Sequence, residues 1–298
     1  MKNAIALTIN RIKLALRNRL FMVFSLIMPM IFLFLFLGVF SGGAPAAMPP
    51  LLAQVVVITV MGNFWGLSVQ LVTYREQGIL RRYRLAPIGP GAMLVSSIIA
   101  NYVMTLPTIA IEFAVAHYIF HMTMFGNIFG VFVLCSLGII SFASLGLIIA
   151  SVMNTMQETQ VINQLIWLAF IFLSGATFPL VMFSKYIQYA ALFLPATYLV
   201  DATQRTMNQA VSLTSLGPHL LSLIGTAVIA FALSVKLFRW DASEKATRNA
   251  KLWALATIIP FILLGTWEIK YGQLRRDARV TFDLMQQQKP GHPTKDAH

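Results

Sequence analysis

Six apolar runs of about 20 residues, near positions 21–40, 51–72, 93–119, 128–153, 161–180 and 218–238, limit this chain's folds more than any other feature. Inside a bilayer a backbone amide without a partner has no water to turn to, so only helices and closed barrels can cross. Runs of about 20 residues fit the hydrocarbon layer as helices, whereas barrel strands need only about 10. The expected fold class is therefore all-α, a polytopic membrane protein. Composition agrees, at 58% hydrophobic and 11% charged residues with a mean hydropathy of +0.75. The formal charge of +12 is gathered at the ends of the runs and not along a groove-lining face. It therefore points to anionic lipid and membrane orientation, and no nucleic-acid partner is expected. The lone Cys135 lies within an apolar run, where it reads as packing.

Between the second and third runs sits a strongly charged stretch, TYREQGILRRYRLAPIGPG, at positions 73–91. Read as a helix over 75–86, it places Ile79, Tyr83 and Ala86 along one edge, with Arg81 and Arg84 well round from them. Glu76 near its start and Arg81, Arg82 and Arg84 near its end suit the helix dipole, while Pro87, Gly89 and Pro90 stop it. Gly78 inside weakens such a helix by about 1 kcal/mol. On the residues alone, the stretch is either a loop whose arginines set orientation or a docking element.

Ending one span and followed at once by another, YREQGILRRYRLAPIGPG resembles the coupling helix of permeases in the type-2 ABC exporter family, and the likeness runs over about residues 17–241. It implies a six-helix exporter permease bundle. An amphipathic connecting helix at 1–20 would precede a transmembrane domain at 21–241, with the coupling helix at 74–87 and outer re-entrant helices at 179–200. In that family the coupling helix rests on the ATP-binding subunit, which here nominates Arg75, Glu76, Gly78, Arg81, Arg82, Tyr83, Ala86 and Pro87. No GxxxxGK[ST] phosphate loop occurs, so no cofactor is expected on this chain and ATP would be bound by a partner subunit. The resemblance also implies a cargo path lined by the second and fifth spans, nominating Asn63, Phe64, Trp65, Asn163, Phe170 and Phe178.

Gly62 and Gly66 have the spacing that lets helices approach closely, either across a dimer axis with a second permease copy or close relative, or within one subunit. Glu112 stands inside the third span with His117 and His121 beyond it. An intramembrane carboxyl is a functional candidate by default, with pairing to His117 as the plain alternative. His117 and His121 at i, i+4 suggest a metal pair, but HExxH and a third ligand are missing, so no metal is expected. Gly138, Ser141, Ser144, Gly146 and Ala150 make a small-residue face on the fourth span, and Asp201 and Arg205 are spaced to pair on an exposed helix.

Residues 2–20 carry five basic side chains among Ile5, Ile9, Ile12 and Leu16 at helical spacing, an amphipathic segment along the inner face and not a cleaved signal peptide. Basic residues cluster at 2–19, 75–84 and 239–251, which places the amino terminus in the cytoplasm, of a bacterial inner membrane if the family likeness holds. Beyond the family pattern, the extension at 242–298 contains a possible seventh span at 252–267 and a polar tail read as disordered. The expected function is the membrane-spanning subunit of an ATP-binding cassette exporter for hydrophobic or amphipathic cargo, with no enzyme activity of its own. The rival readings are a proton-coupled secondary transporter working through Glu112 and a membrane-embedded enzyme.

Overall fold

The computed structural model describes residues 8–9, 11–13, 19–84, 89–123, 125–244 and 248–271, and no strand occurs among them. α1 (Arg19–Leu33) holds Pro29 and runs on into a wider π-helical stretch, Phe34–Phe40. α2 (Met48–Met61) and α3 (Asn63–Glu76) form one rod joined at Gly62. A two-residue turn leads to α4 (Ile79–Arg84), then α5 (Pro90–Tyr118), α6 (Ile128–Val152) and α7 (Met156–Leu173). The short α8 (Lys185–Ala191) and α9 (Pro195–Gln209) precede α10 (Gly217–Lys236), α11 (Arg248–Leu255) and α12 (Ile259–Tyr271). The molecule is an all-α polytopic membrane protein.

Among the described residues, Met48–Glu76, Pro90–Tyr118, Ile128–Val152 and Leu213–Lys236 are long and apolar enough to cross a bilayer. Leu26–Phe40 is apolar but shorter. The fifth expected span, 161–180, corresponds to α7, which is not one of these long apolar helices and has different bounds. α7 starts at Met156, with Thr155 accepting from the Glu158 amide at 3.1 Å and the Glu158 carboxylate accepting from the Asn154 amide at 2.9 Å. This Thr-x-x-Glu pairing satisfies amides that a helix start leaves open, and it draws the polar residues Gln157, Glu158 and Gln160 into the helix. The helix ends at Leu173, short of Pro179.

α6 is the axle of the bundle. Leu134, Ile139, Phe142 and Leu147 are fully buried on it, against α2, α3, α9 and α10. Its small residues set how close the neighbours come. A Cβ on Gly146 would lie 2.4 Å from the Phe64 carbonyl oxygen, and one on Gly138 2.8 Å from Val60 and 3.0 Å from Leu199. Ser141 donates to the Leu223 carbonyl of α10 at 2.5 Å.

α9 departs from the exposed helix expected around Asp201. Pro195, Ala196, Tyr198, Leu199 and Ala202 are buried, and the helix lies against α2, α6 and α10. The Asp201–Arg205 pair does form, at 2.6 Å, but His219 at the start of α10 also reaches the same carboxylate oxygen at 2.7 Å. The pair is a tertiary tie, made possible because the helix is folded inward. The Thr206 carbonyl accepts from the Asn127 amide at 3.1 Å, which fixes this end of α9 beside the start of α6.

Candidate coupling face and intramembrane polar cluster

At the other end of α6, the expected rod over 75–86 is two pieces. Gly78 has φ +69°, a left-handed turn that glycine adopts without strain, so α3 stops at Glu76 and α4 begins afresh at Ile79. The inward face of α4 is accordingly Leu80, fully buried, with Tyr83 packed beside it. Arg81, Arg82 and Arg84 are exposed. Ala86 and Pro87 lie outside the described residues.

Arg75 points the opposite way from those three. It is 2% exposed, the last member of the buried stripe Phe64, Leu67, Leu71 and Val72 on α3. One guanidinium nitrogen donates to the Ala150 carbonyl at 2.8 Å and another to the Met153 carbonyl, both at the end of α6. Arg239, just past α10, grips the same terminus. It donates to the carbonyls of Ser151 at 3.1 Å and Met153 at 2.6 Å, to Asn154 Oδ1 at 3.0 Å and to the Glu244 carbonyl at 2.5 Å. The last carbonyls of a helix lack intrahelical partners and carry the negative end of its dipole, so two cations are well placed there. Burial pulls the Arg239 guanidinium below its ordinary pKa.

Glu76 completes the knot by accepting from the Met156 amide at 2.9 Å, capping the start of α7. Arg11 is also turned in. It donates to Ser97 and to Met93 Sδ at 3.3 Å, and stands 5.7 Å from the Tyr74 ring centroid. The exposed arginines have weaker partners. Arg81 and Arg84 each lie 3.7 Å from a carboxylate, of Asp241 and Glu244 respectively, and open, solvent-screened pairs of this kind add little to stability. Asp241 is held below the usual carboxylate range, first by the backbone hydrogen bond from Ser243, with Arg81 adding to it. The ends of α3, α6, α7 and α10 thus meet under a short arginine-bearing helix.

The intramembrane candidates separate into two places. Asn63 is buried, with its Oδ1 accepting from Asn101 at 2.6 Å and from Thr105 at 2.8 Å, and its amide donating to the Val60 carbonyl at 2.8 Å. It lines a cleft of about 240 Å³ between α1, α2, α3 and α5, together with Gly62, Gly66 and Trp167. Phe64 is fully buried on another side, edge-on to Phe170 at 5.5 Å, and Trp65 meets Trp167 at 6.2 Å. Asn163 donates to Ser68 at 2.8 Å between α7 and α3. Phe178 lies past the end of α7 and is exposed.

Among the described residues, Gly62 and Gly66 do not make the close approach. A Cβ on Gly66 would meet nothing within 4 Å, and one on Gly62 only backbone of its own rod, so the tight glycine contact of this rod is Gly146 on α6. Gly66→Ala should therefore leave the unfolding temperature of the purified protein unchanged or slightly raised, since alanine is the better helix former by up to about 1 kcal/mol. A fall of several degrees in a fluorescence thermal melt would contradict this.

Glu112 is 0% exposed and accepts from Thr59 Oγ1 on α2; its Oε2 has no hydrogen-bond partner among the described residues. His117 is not its partner. Five positions on, it faces elsewhere on the helix, with its Nδ1 3.0 Å from the Met122 carbonyl and its ring against Phe125.

The class that this arrangement defines is a helical membrane protein with a short basic helix at one end of its bundle. The family model described as "ABC-2 family transporter protein" matches residues 51–236, and the chain belongs to that family. It is also similar to the linearmycin resistance permease protein LnrN of Bacillus subtilis (strain 168), at 23% identity over 183 residues. That stretch is 61% of this chain and 47% of the relative, so the chain spans about half of the relative's length. The protein is an integral membrane protein of that family.

The sequence alone shows Arg239 only as a member of the basic cluster at 239–251, and it does not show the inward turn of Arg75. Two signals were present: the Thr155-x-x-Glu158 cap, which places the start of α7, and the continuation of the α3 apolar stripe into position 75.

Proposed function

We propose that this permease forms the membrane path of an exporter driven by a separate ATP-binding cassette subunit, with a second permease copy or close relative completing the path. The observation that carries this reading is the exposure of Arg81, Arg82 and Arg84 on a helix seated directly on the knot that joins α3, α6, α7 and α10. A push on α4 reaches four helix ends at once through that knot. ATP-driven closure of the ATPases would move α4 and switch the path from inward to outward access. The coupling end then faces the cytoplasm, in a bacterial inner membrane, as the clustering of basic residues at positions 75–84 and 239–251 supports. A relative named for resistance to a compound favours export, and a cleft lined by Phe32, Ile58, Met104 and Trp167 together with Asn63, Asn101 and Thr105 suits an amphipathic cargo.

Charge reversal tests it. Arg81→Glu with Arg82→Glu changes only exposed side chains, so insertion and folding should be kept while stimulation of the partner's ATP hydrolysis by cargo falls at least tenfold. Stimulation equal to wild type in vesicles would refute the docking role.

A further inference from the structure

The family match stops at residue 236, yet the chain after it doubles back along α10. Near the coupling end, the Lys236 ammonium, on the last residue of α10, stands 4.0 Å from the ring centroid of Trp253 on α11. Twelve residues later the chain has reached the bend between α8 and α9. A Cβ on Gly265 would lie 2.7 Å from Phe193 Cδ1 and 3.1 Å from the Leu192 carbonyl oxygen. Leu264 and Ile269 pack with Leu192, Tyr189 and Tyr198, and Glu268 beside them is buried. Tyr198 in turn sits edge-on to His219 in the first turn of α10. α11 and α12 therefore run alongside α10 from its last residue to its first turn. At about 1.5 Å of helical rise per residue, the step from Trp253 to Gly265 is about 18 Å, more than half of the hydrocarbon layer. A chain this deep cannot reverse in lipid without leaving amides unpaired.

We propose that α11 and α12 are a seventh membrane crossing that seats Gly265 in the α8–α9 bend and clasps this hairpin against α10, with the polypeptide after Tyr271 leaving on the side opposite α4. This arrangement puts Lys270 on the far side from the other basic clusters. Late charges have less say over topology than early ones, so packing on the hairpin prevails.

The crossing is tested with two separate variants, Arg82→Cys and a cysteine appended after His298, each in a Cys135→Ser background. Both are probed with a membrane-impermeant maleimide on sealed vesicles before and after permeabilisation. The two sites should report from opposite sides. Labelling of both from the same side overturns the crossing, whichever way α4 faces, so the result does not depend on the transport reading. The clasp is tested by Phe193→Cys with Gly265→Cys, in which the shortened 193 side chain leaves room for the second thiol. Oxidation should form a disulfide that holds the two parts of the chain together after cleavage at a protease site inserted at 242–244. Failure to cross-link in a protein that inserts normally would overturn the clasp.

Discussion

Arg75→Ala should unfold at a markedly lower temperature than wild type, although position 75 touches no solvent-exposed surface. The guanidinium supplies donors to the Ala150 and Met153 carbonyls in a site that is 2% exposed. Hydrogen bonds from a charged donor contribute about 1.5–3 kcal/mol each, and a buried acceptor left without a donor keeps its desolvation cost. Met153 retains Arg239 as a second donor, so the expected loss is about 2–4 kcal/mol. Thermal unfolding followed by size-exclusion fluorescence reads it directly. Arg75→Lys should recover only part, because an ammonium on a flexible stem cannot hold both carbonyls in the guanidinium fork. If Arg75→Ala kept the wild-type unfolding temperature and lost only ATPase stimulation, Arg75 would be a docking residue and the knot would not exist.

Gly146→Val should be at least as damaging. The added Cβ would fall 2.4 Å from the Phe64 carbonyl oxygen and 3.0 Å from its Cα, both backbone atoms that no side-chain rotation can move. α3 and α6 would have to separate, undoing packing around Phe64, Phe142 and Phe170, where ring centroids stand 5.5 Å apart. Overpacking in close-packed interiors costs about 1–3 kcal/mol, and a clash with backbone belongs at the upper end or beyond. The contrast with Gly66→Ala is diagnostic: equal losses at both glycines would mean that α3 packs through its own glycine stripe and not against α6.

The helical class and the order of the elements were legible because the length of an apolar run decides between helix and strand in lipid. The coupling segment was legible as a short charged interruption. Its geometry was not, because composition treats all arginines near a membrane boundary alike. What separates Arg75 from Arg81 is a glycine turn at 78, which redirects the axis after Glu76 and leaves one arginine on the buried stripe of α3 and the others on a new helix. Gly62 and Gly66 match a packing motif, yet among the described residues a Cβ on either would meet no other helix, since spacing within one helix says nothing of which neighbour is present. The Glu112 partner came from α2, a contact between residues 53 apart that local spacing cannot reveal. The inward α9 was hidden for the same reason. Its polar residues, Asp201 and Arg205, suggested water, but His219 from α10 makes burial tolerable.

The most direct measurement is cargo movement in sealed proteoliposomes containing the permease with and without its ATP-binding cassette partner, under imposed ATP or proton gradients. Movement that requires the partner and ATP, and that survives Glu112→Gln, is the predicted result. Gradient-driven movement by the permease alone, abolished by Glu112→Gln, would contradict the account.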